Sequence, residues 1–145
     1  MKFRYELEGP GWATCTVEIG GQTAVATASY LSDGLGSLTT AVIQLCEGAD
    51  NASAVFSEEP GAYRWHFQRI GPERVRLQLR EEHSESTAGK LVIDRECRLR
   101  SFAEALRAEL DRLLAVHGEE GYVKLWIEHP FPRAELARLT RLLTV

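Results

Sequence analysis

Glu58-Glu59-Pro60-Gly61, followed by Arg64 and His66, is the stretch whose residue types come nearest to a reactive constellation. Two carboxylates precede a tight turn, and a guanidinium and an imidazole follow it, so acid and cation can face each other across a hairpin. As general acid and base, Glu58, Glu59, Arg64 and His66 would serve a small hydrolase or a ligand-binding enzyme, given a cleft and shifted pKa values. As structure, they make a cross-strand ion pair worth about 0.2–1 kcal/mol. The other reactive types lack the spacing that chemistry needs. Cys15, Cys46, Cys97 and the four His residues, at 66, 83, 117 and 129, show no CxxC, HxxxH or HExxH pattern that would bring ligands onto one metal ion. Gly34-Leu35-Gly36 has neither the third glycine nor the GK[ST] ending of a phosphate loop, and neither Ser29 nor Ser32 sits in a GxSxG elbow. No catalytic residue, metal or cofactor is expected.

Binding chemistry has better material. Arg64, His66 and Gln68 share one face of a strand pattern, Arg74, Arg76, Gln78 and Arg80 share a face of the next, and Asp94 and Glu96 of the last. Such a row can hold an acidic partner or a phosphate-bearing ligand, or stand as a solvated face whose charges pair across strands. Tyr63, Trp65 and Phe67 fall on the opposite face, where they cannot stack with bases beside those arginines, so nucleic acid is not expected. Trp12 shares its face with the polar Thr14, Thr16 and Glu18, which places a large aromatic at an interface or beneath a C-terminal helix. The candidate binding residues are therefore Trp12, Glu58, Glu59, Arg64, His66, Arg76 and Arg80.

The elements that position these residues can be read from period and punctuation. Residues 2 to 8 and 12 to 19 alternate apolar with polar, Gly9-Pro10-Gly11 and Gly20-Gly21 turn the chain, and a third run reaches Ser29, giving a three-stranded meander. Leu31, Leu35, Leu38, Val42 and Leu45 then recur at helical steps. This predicts a helix over about 33–47, capped by Ser32 or Asp33 and ended by Gly48, with Gly34 and Gly36 close to another backbone. Strand periods return from 53 to about 98, with a type II turn at Pro60-Gly61, a turn at Gly71-Pro72-Glu73 and a polar loop over 82–89. Ser101 and Glu104 form a capping box ahead of a stripe of Phe102, Leu106, Leu110, Leu113 and Leu114. Residues 122–127 fit helix or strand equally, and Pro132 opens a last helix bearing Leu136, Leu139, Leu142 and Leu143. The order βββ-α-ββββ-ααα, with strands and helices segregated, predicts an α+β fold. We expect one antiparallel sheet of about six or seven strands, with the first helix and its successors packed on its apolar face.

Composition sets the frame. The 145 residues, 44% hydrophobic and 26% charged, suit a single domain over 1–145. An odd cysteine count, no secretory signal at the start and no apolar run near the roughly 20 residues of a membrane span point to a cytoplasmic protein with reduced thiols and no membrane partner. The net charge of −4 is uneven, for residues 1–60 carry 2 basic and 8 acidic groups whereas residues 61–100 carry 9 and 6. The middle of the chain is locally basic.

The strings Ser29-Tyr30-Leu31-Ser32-Asp33-Gly34-Leu35-Gly36-Ser37-Leu38, Glu59-Pro60-Gly61-Ala62-Tyr63-Arg64-Trp65 and Trp126-Ile127-Glu128-His129-Pro130-Phe131-Pro132 resemble a family of small uncharacterised bacterial proteins, some immunity-like. The resemblance brings no catalytic residues. It implies a helical reading of 122–126 and a protein partner. The functional expectation is a non-enzymatic module that holds a protein or a second copy of itself, with an immunity-type inhibitor of a toxin and the small hydrolase as alternatives.

Overall fold

The computed structural model describes residues 1–82 and 89–144. Alternation makes β1 (Lys2–Leu7), β2 (Trp12–Ile19) and β3 (Gln22–Ser29), because Phe3, Tyr5, Cys15, Val17, Ala26 and Ala28 share one buried face. The three pair in antiparallel register, Tyr5 opposite Cys15 and Cys15 opposite Ala26. Gly20 and Gly21, at φ of +57° and +81°, supply the two positive angles that a two-residue hairpin turn needs. Then comes α1 (Gly34–Cys46), whose first turn is capped by the Asp33 carboxylate accepting the Gly36 N–H at 3.0 Å. Leu35, Leu38, Val42 and Leu45 are buried as the period predicts, but Leu31 precedes the helix and is exposed. The glycines of the first turn make room for side chains rather than for a backbone. A Cβ at Gly34 would stand 2.7 Å from the Phe56 ring, and one at Gly36 would strike the Asp33 carboxylate.

The second sheet has the order β4 (Asn51–Ser57), β5 (Ala62–Arg69), β6 (Arg74–Glu82) and β7 (Lys90–Arg98), all antiparallel. The expected type II turn is corrected here, since the Glu59–Pro60 peptide is cis, the geometry in which proline takes the third position of a type VI turn. Most of the loop expected over 82–89 lies outside the described residues. The capping box is also corrected. The Leu99 N–H is held by the Glu73 carbonyl at 2.9 Å, so β7 runs directly into α2 (Leu99–Trp126), leaving Ser101 inside the helix and Glu104 paired with Arg100 at 2.7 Å. Gly118 breaks the helical path of α2 with φ of 66° and ψ of 172°, after which the chain is helical again to Trp126, as the resemblance implied. The last element is α3 (Arg133–Leu143).

Seven strands and the βββ-α-ββββ order hold, but they form two sheets of three and four strands instead of one. β4 and β7 are opposite edges of the larger sheet, about 14 Å apart at the usual strand spacing. Yet β3 contacts β4, β5 and β7, so the first sheet crosses the second rather than extending it. The two apolar faces consequently bury each other. Phe3 lies 6.4 Å from Trp65 and Tyr5 lies 6.1 Å from Phe56, while Phe102 of α2 closes the core 5.2 Å from Phe67.

The helices cover strand edges as well as faces. The Ser32 and Ser37 hydroxyls accept the Ser57 and Val55 N–H groups of β4 at 3.1 and 3.4 Å. On β1, buried Glu109 of α2 accepts the Tyr5 N–H at 2.6 Å, and Arg112, bonded to the same carboxylate at 2.7 and 2.8 Å, donates to the Tyr5 carbonyl at 3.0 Å. An ion pair thus completes the main-chain bonding that a neighbouring strand would supply. Among the described residues no helix is long and apolar enough to cross a membrane.

Candidate functional site

Arg64, His66, Gln68, Arg74, Arg76, Arg80 and Arg98 are all exposed on the side of the larger sheet that faces away from the core. Alternation puts them there, since Tyr63, Trp65, Phe67, Val75, Leu77 and Leu79 occupy the intervening positions and are buried. The register then sets like charges against each other. Arg64 stands opposite Arg80, and Arg74 stands opposite Arg98. Arginines directly opposed across strands destabilise a sheet unless something anionic lies between them.

Carboxylates of the same face satisfy part of this charge. Arg64 donates to Glu82 at 2.8 Å, two residues beyond its register partner. Arg76 grips Asp94 with two nitrogens, at 2.8 and 2.6 Å. Beside that pair a shallow cleft of about 510 Å³ runs between Arg74, Arg76, Asp94, Arg95 and Glu96. The hydrogen bonds from Arg76 hold the Asp94 carboxyl down at about 2, below the ~3.9 of an unfolded chain. A depressed carboxylate stabilises the fold above the unfolded value, and here that contribution is lost as the pH falls through about 2. Carboxyl-carbon NMR is expected to show Asp94 titrating near pH 2, and to show it returning toward the ordinary value in Arg76→Gln; a wild-type midpoint at about 3.9 would contradict the pairing.

The acids of the β4–β5 turn have gone elsewhere. Glu58 accepts a hydrogen bond from the Thr27 hydroxyl of β3, Glu59 is exposed in the turn, and Arg64 belongs to Glu82. The anticipated pairing of Glu58 or Glu59 with Arg64 is replaced because the sheets cross at this end and bring Thr27 to the turn. Nearby, the Tyr63 hydroxyl donates to Glu81 at 3.1 Å, and burial together with the Glu58 and Glu81 charges pushes this phenol up to about 12. His66 shares its face with Arg64, two residues along β5, and lies between Ser53 and Gln78 in register, away from Glu58 and Glu59.

The thiols are chemically quiet. Burial raises the pKa of Cys15, Cys46 and Cys97, which suppresses the nucleophilic thiolate form. Among the described residues no group of three His, Cys, Asp or Glu side chains could hold a metal ion. Trp12 is 40% exposed, on the polar face the alternation assigned to it.

Two features escaped the sequence. The Glu109–Arg112 clasp had a readable signal, since Glu109 falls three residues after Leu106 and within the apolar stripe of its helix. Ile127 had none. It is 50% exposed, with φ of 74° and ψ of −69°, and the Glu128 N–H donates to the Trp126 carbonyl at 2.9 Å across it. That is a γ-turn of positive φ on a β-branched residue, a conformation costing about 1–3 kcal/mol.

No family model, curated protein or solved structure matches this chain.

Proposed function

We propose that the chain is a non-enzymatic protein-binding module whose Arg-rich sheet face holds an acidic segment of a partner protein. The observation that carries this reading is the opposition of Arg64 to Arg80 and of Arg74 to Arg98 on an exposed face of a protein whose net charge is −4. An anionic partner relieves that repulsion, and discrete carboxylates suit a face where Glu82, Asp94 and Glu96 already alternate with the arginines. A continuous phosphate backbone of nucleic acid fits it less well, because the aromatic rings that would stack on bases, Tyr63, Trp65 and Phe67, lie on the buried side. The alternative hydrolase lacks comparable support, since Glu58 is bonded to Thr27 and Glu59 is exposed in the turn, while Arg64 is paired with Glu82 on the sheet face that it shares with His66.

Fluorescence anisotropy with a labelled Glu-rich peptide tests the reading. Saturable binding that weakens with salt is expected, together with a loss of about tenfold or more, roughly 1.4 kcal/mol, in Arg74→Glu/Arg80→Glu. Single-stranded DNA binding more tightly than the peptide, or a double variant that binds like the wild type, would overturn it.

A further inference from the structure

Ile127 breaks a local rule without repairing anything in the core, because its strained backbone presents an apolar side chain that stays half in solvent. Strain of this kind persists only where the surroundings impose it, and it is concentrated at sites that act on other molecules. The surroundings here are three chain segments stitched together. Gly11, entering β2, donates to the Leu125 carbonyl at 2.6 Å and accepts from Tyr30 at 2.9 Å, and the Ile127 N–H donates to Val123 at 2.8 Å. Gly11 has φ of +78°, and a Cβ on it would stand 2.8 Å from the Tyr30 ring and 3.3 Å from the Ile127 methyl. The junction therefore brings Tyr30 and Ile127 together over a glycine.

Exposed apolar residues border that junction. Trp12 follows Gly11, Leu31 follows Tyr30, and Val123 lies one helical turn before Ile127, at 40%, 52% and 38% exposure. The charges beside them are mostly acidic. The Glu8 carboxylate accepts from Thr14 at 2.9 Å on the Trp12 face, and Glu120 and Glu128 are exposed near Val123 and Ile127, with Lys124 the cation between them.

We infer that Trp12, Tyr30, Leu31, Val123 and Ile127 form a second docking surface, for a basic amphipathic segment of a protein. Its apolar residues would cover the exposed side chains while its Lys or Arg residues meet Glu8, Glu120 and Glu128. An anionic bilayer is disfavoured by the same three acids. This surface is separate from the Arg-rich face and opposite to it in charge preference, so either can fail its test without the other. A molecule carrying both is suited to bridging an acidic partner and a basic one.

The test uses the full chain and a labelled peptide of Leu and Lys with amphipathic helical spacing, beside the same peptide with Glu for Lys. The Lys peptide is expected to bind saturably and to move tryptophan emission to shorter wavelength. Trp65 and Trp126 are fully buried, which leaves Trp12 as the tryptophan that a ligand can desolvate. Ile127→Asp is expected to weaken binding at least tenfold. Ile127→Gly, which accepts the backbone angle freely, is expected to raise the melting temperature and still weaken binding, so lost affinity cannot be ascribed to lost folding. Equal binding of the Glu peptide, unchanged affinity in Ile127→Asp, or no emission shift would overturn the inference. So would an emission shift on raising the protein concentration alone, which would make the occupant a second copy, or a shift produced by anionic vesicles and not by the peptide.

Discussion

Replacing Glu109 by Ala is expected to destabilise the protein by about 3 kcal/mol, the lower end of the range for removing one member of a buried ion pair. The lower end applies because Arg112 keeps 28% of its side-chain surface in water while Glu109 is only 5% exposed. Two losses combine. The Tyr5 N–H loses the carboxylate that accepts it at 2.6 Å, and the Arg112 guanidinium, left without that carboxylate, no longer has a reason to stay over the Tyr5 carbonyl. Urea denaturation followed by circular dichroism should show the midpoint falling by about 1–2 M. Glu109→Gln keeps an acceptor for Tyr5 and should lose less. A double-mutant cycle with Arg112→Ala should return a coupling of about 1 kcal/mol or more. A change below about 1 kcal/mol for Glu109→Ala would mean that the clasp does not hold β1.

Trp126→Ala should be at least as damaging, at about 3–5 kcal/mol, because a fully buried indole leaves a large cavity. Its ring lies 6.2 Å from Tyr5 and 6.4 Å from Tyr122, and its Nε1–H donates to the Ser32 carbonyl at 3.2 Å. One side chain therefore joins β1, the approach to α1 and the end of α2. A melting temperature lower by about 10 °C is expected, with Trp126→Phe losing roughly 1 kcal/mol for the unmade hydrogen bond and more for the smaller ring. If Trp126→Ala melted within a few degrees of the wild type, the packing of residues 122–126 against the core would be wrong.

Local structure was legible because its causes are local. Alternation, paired glycines and the period of Leu35, Leu38, Val42 and Leu45 specify seven strands and the first helix. Hairpin turns also determine which consecutive strands pair. The chain beyond α1 is different, for nothing in the residues themselves says whether β4 will lie beside β3 or beneath it. The division into two sheets is decided by which apolar faces best bury one another, and Phe3 meets Trp65 from a distant part of the chain. The candidate site divided along the same line. The common face of Arg64, Arg76 and Arg80 could be read from a period of two, whereas the partners of Arg64 and Glu58 depended on a neighbouring strand and on where the sheets cross. Ile127 lay beyond reach because its conformation contradicts its own preference.

The side-chain clasps on β1 and β4 also limit how anything else can attach. Tyr5, Val55 and Ser57 already have their main-chain hydrogens engaged by Glu109, Ser37 and Ser32, so an extended peptide cannot lengthen either sheet there without first dislodging them. Templated growth into fibrils, which copies an open backbone, finds no template at those positions. Along β1 and β4, recognition at those positions is left to side chains, and its selectivity would be a matter of charge sequence and shape instead of the indiscriminate grammar that every backbone shares.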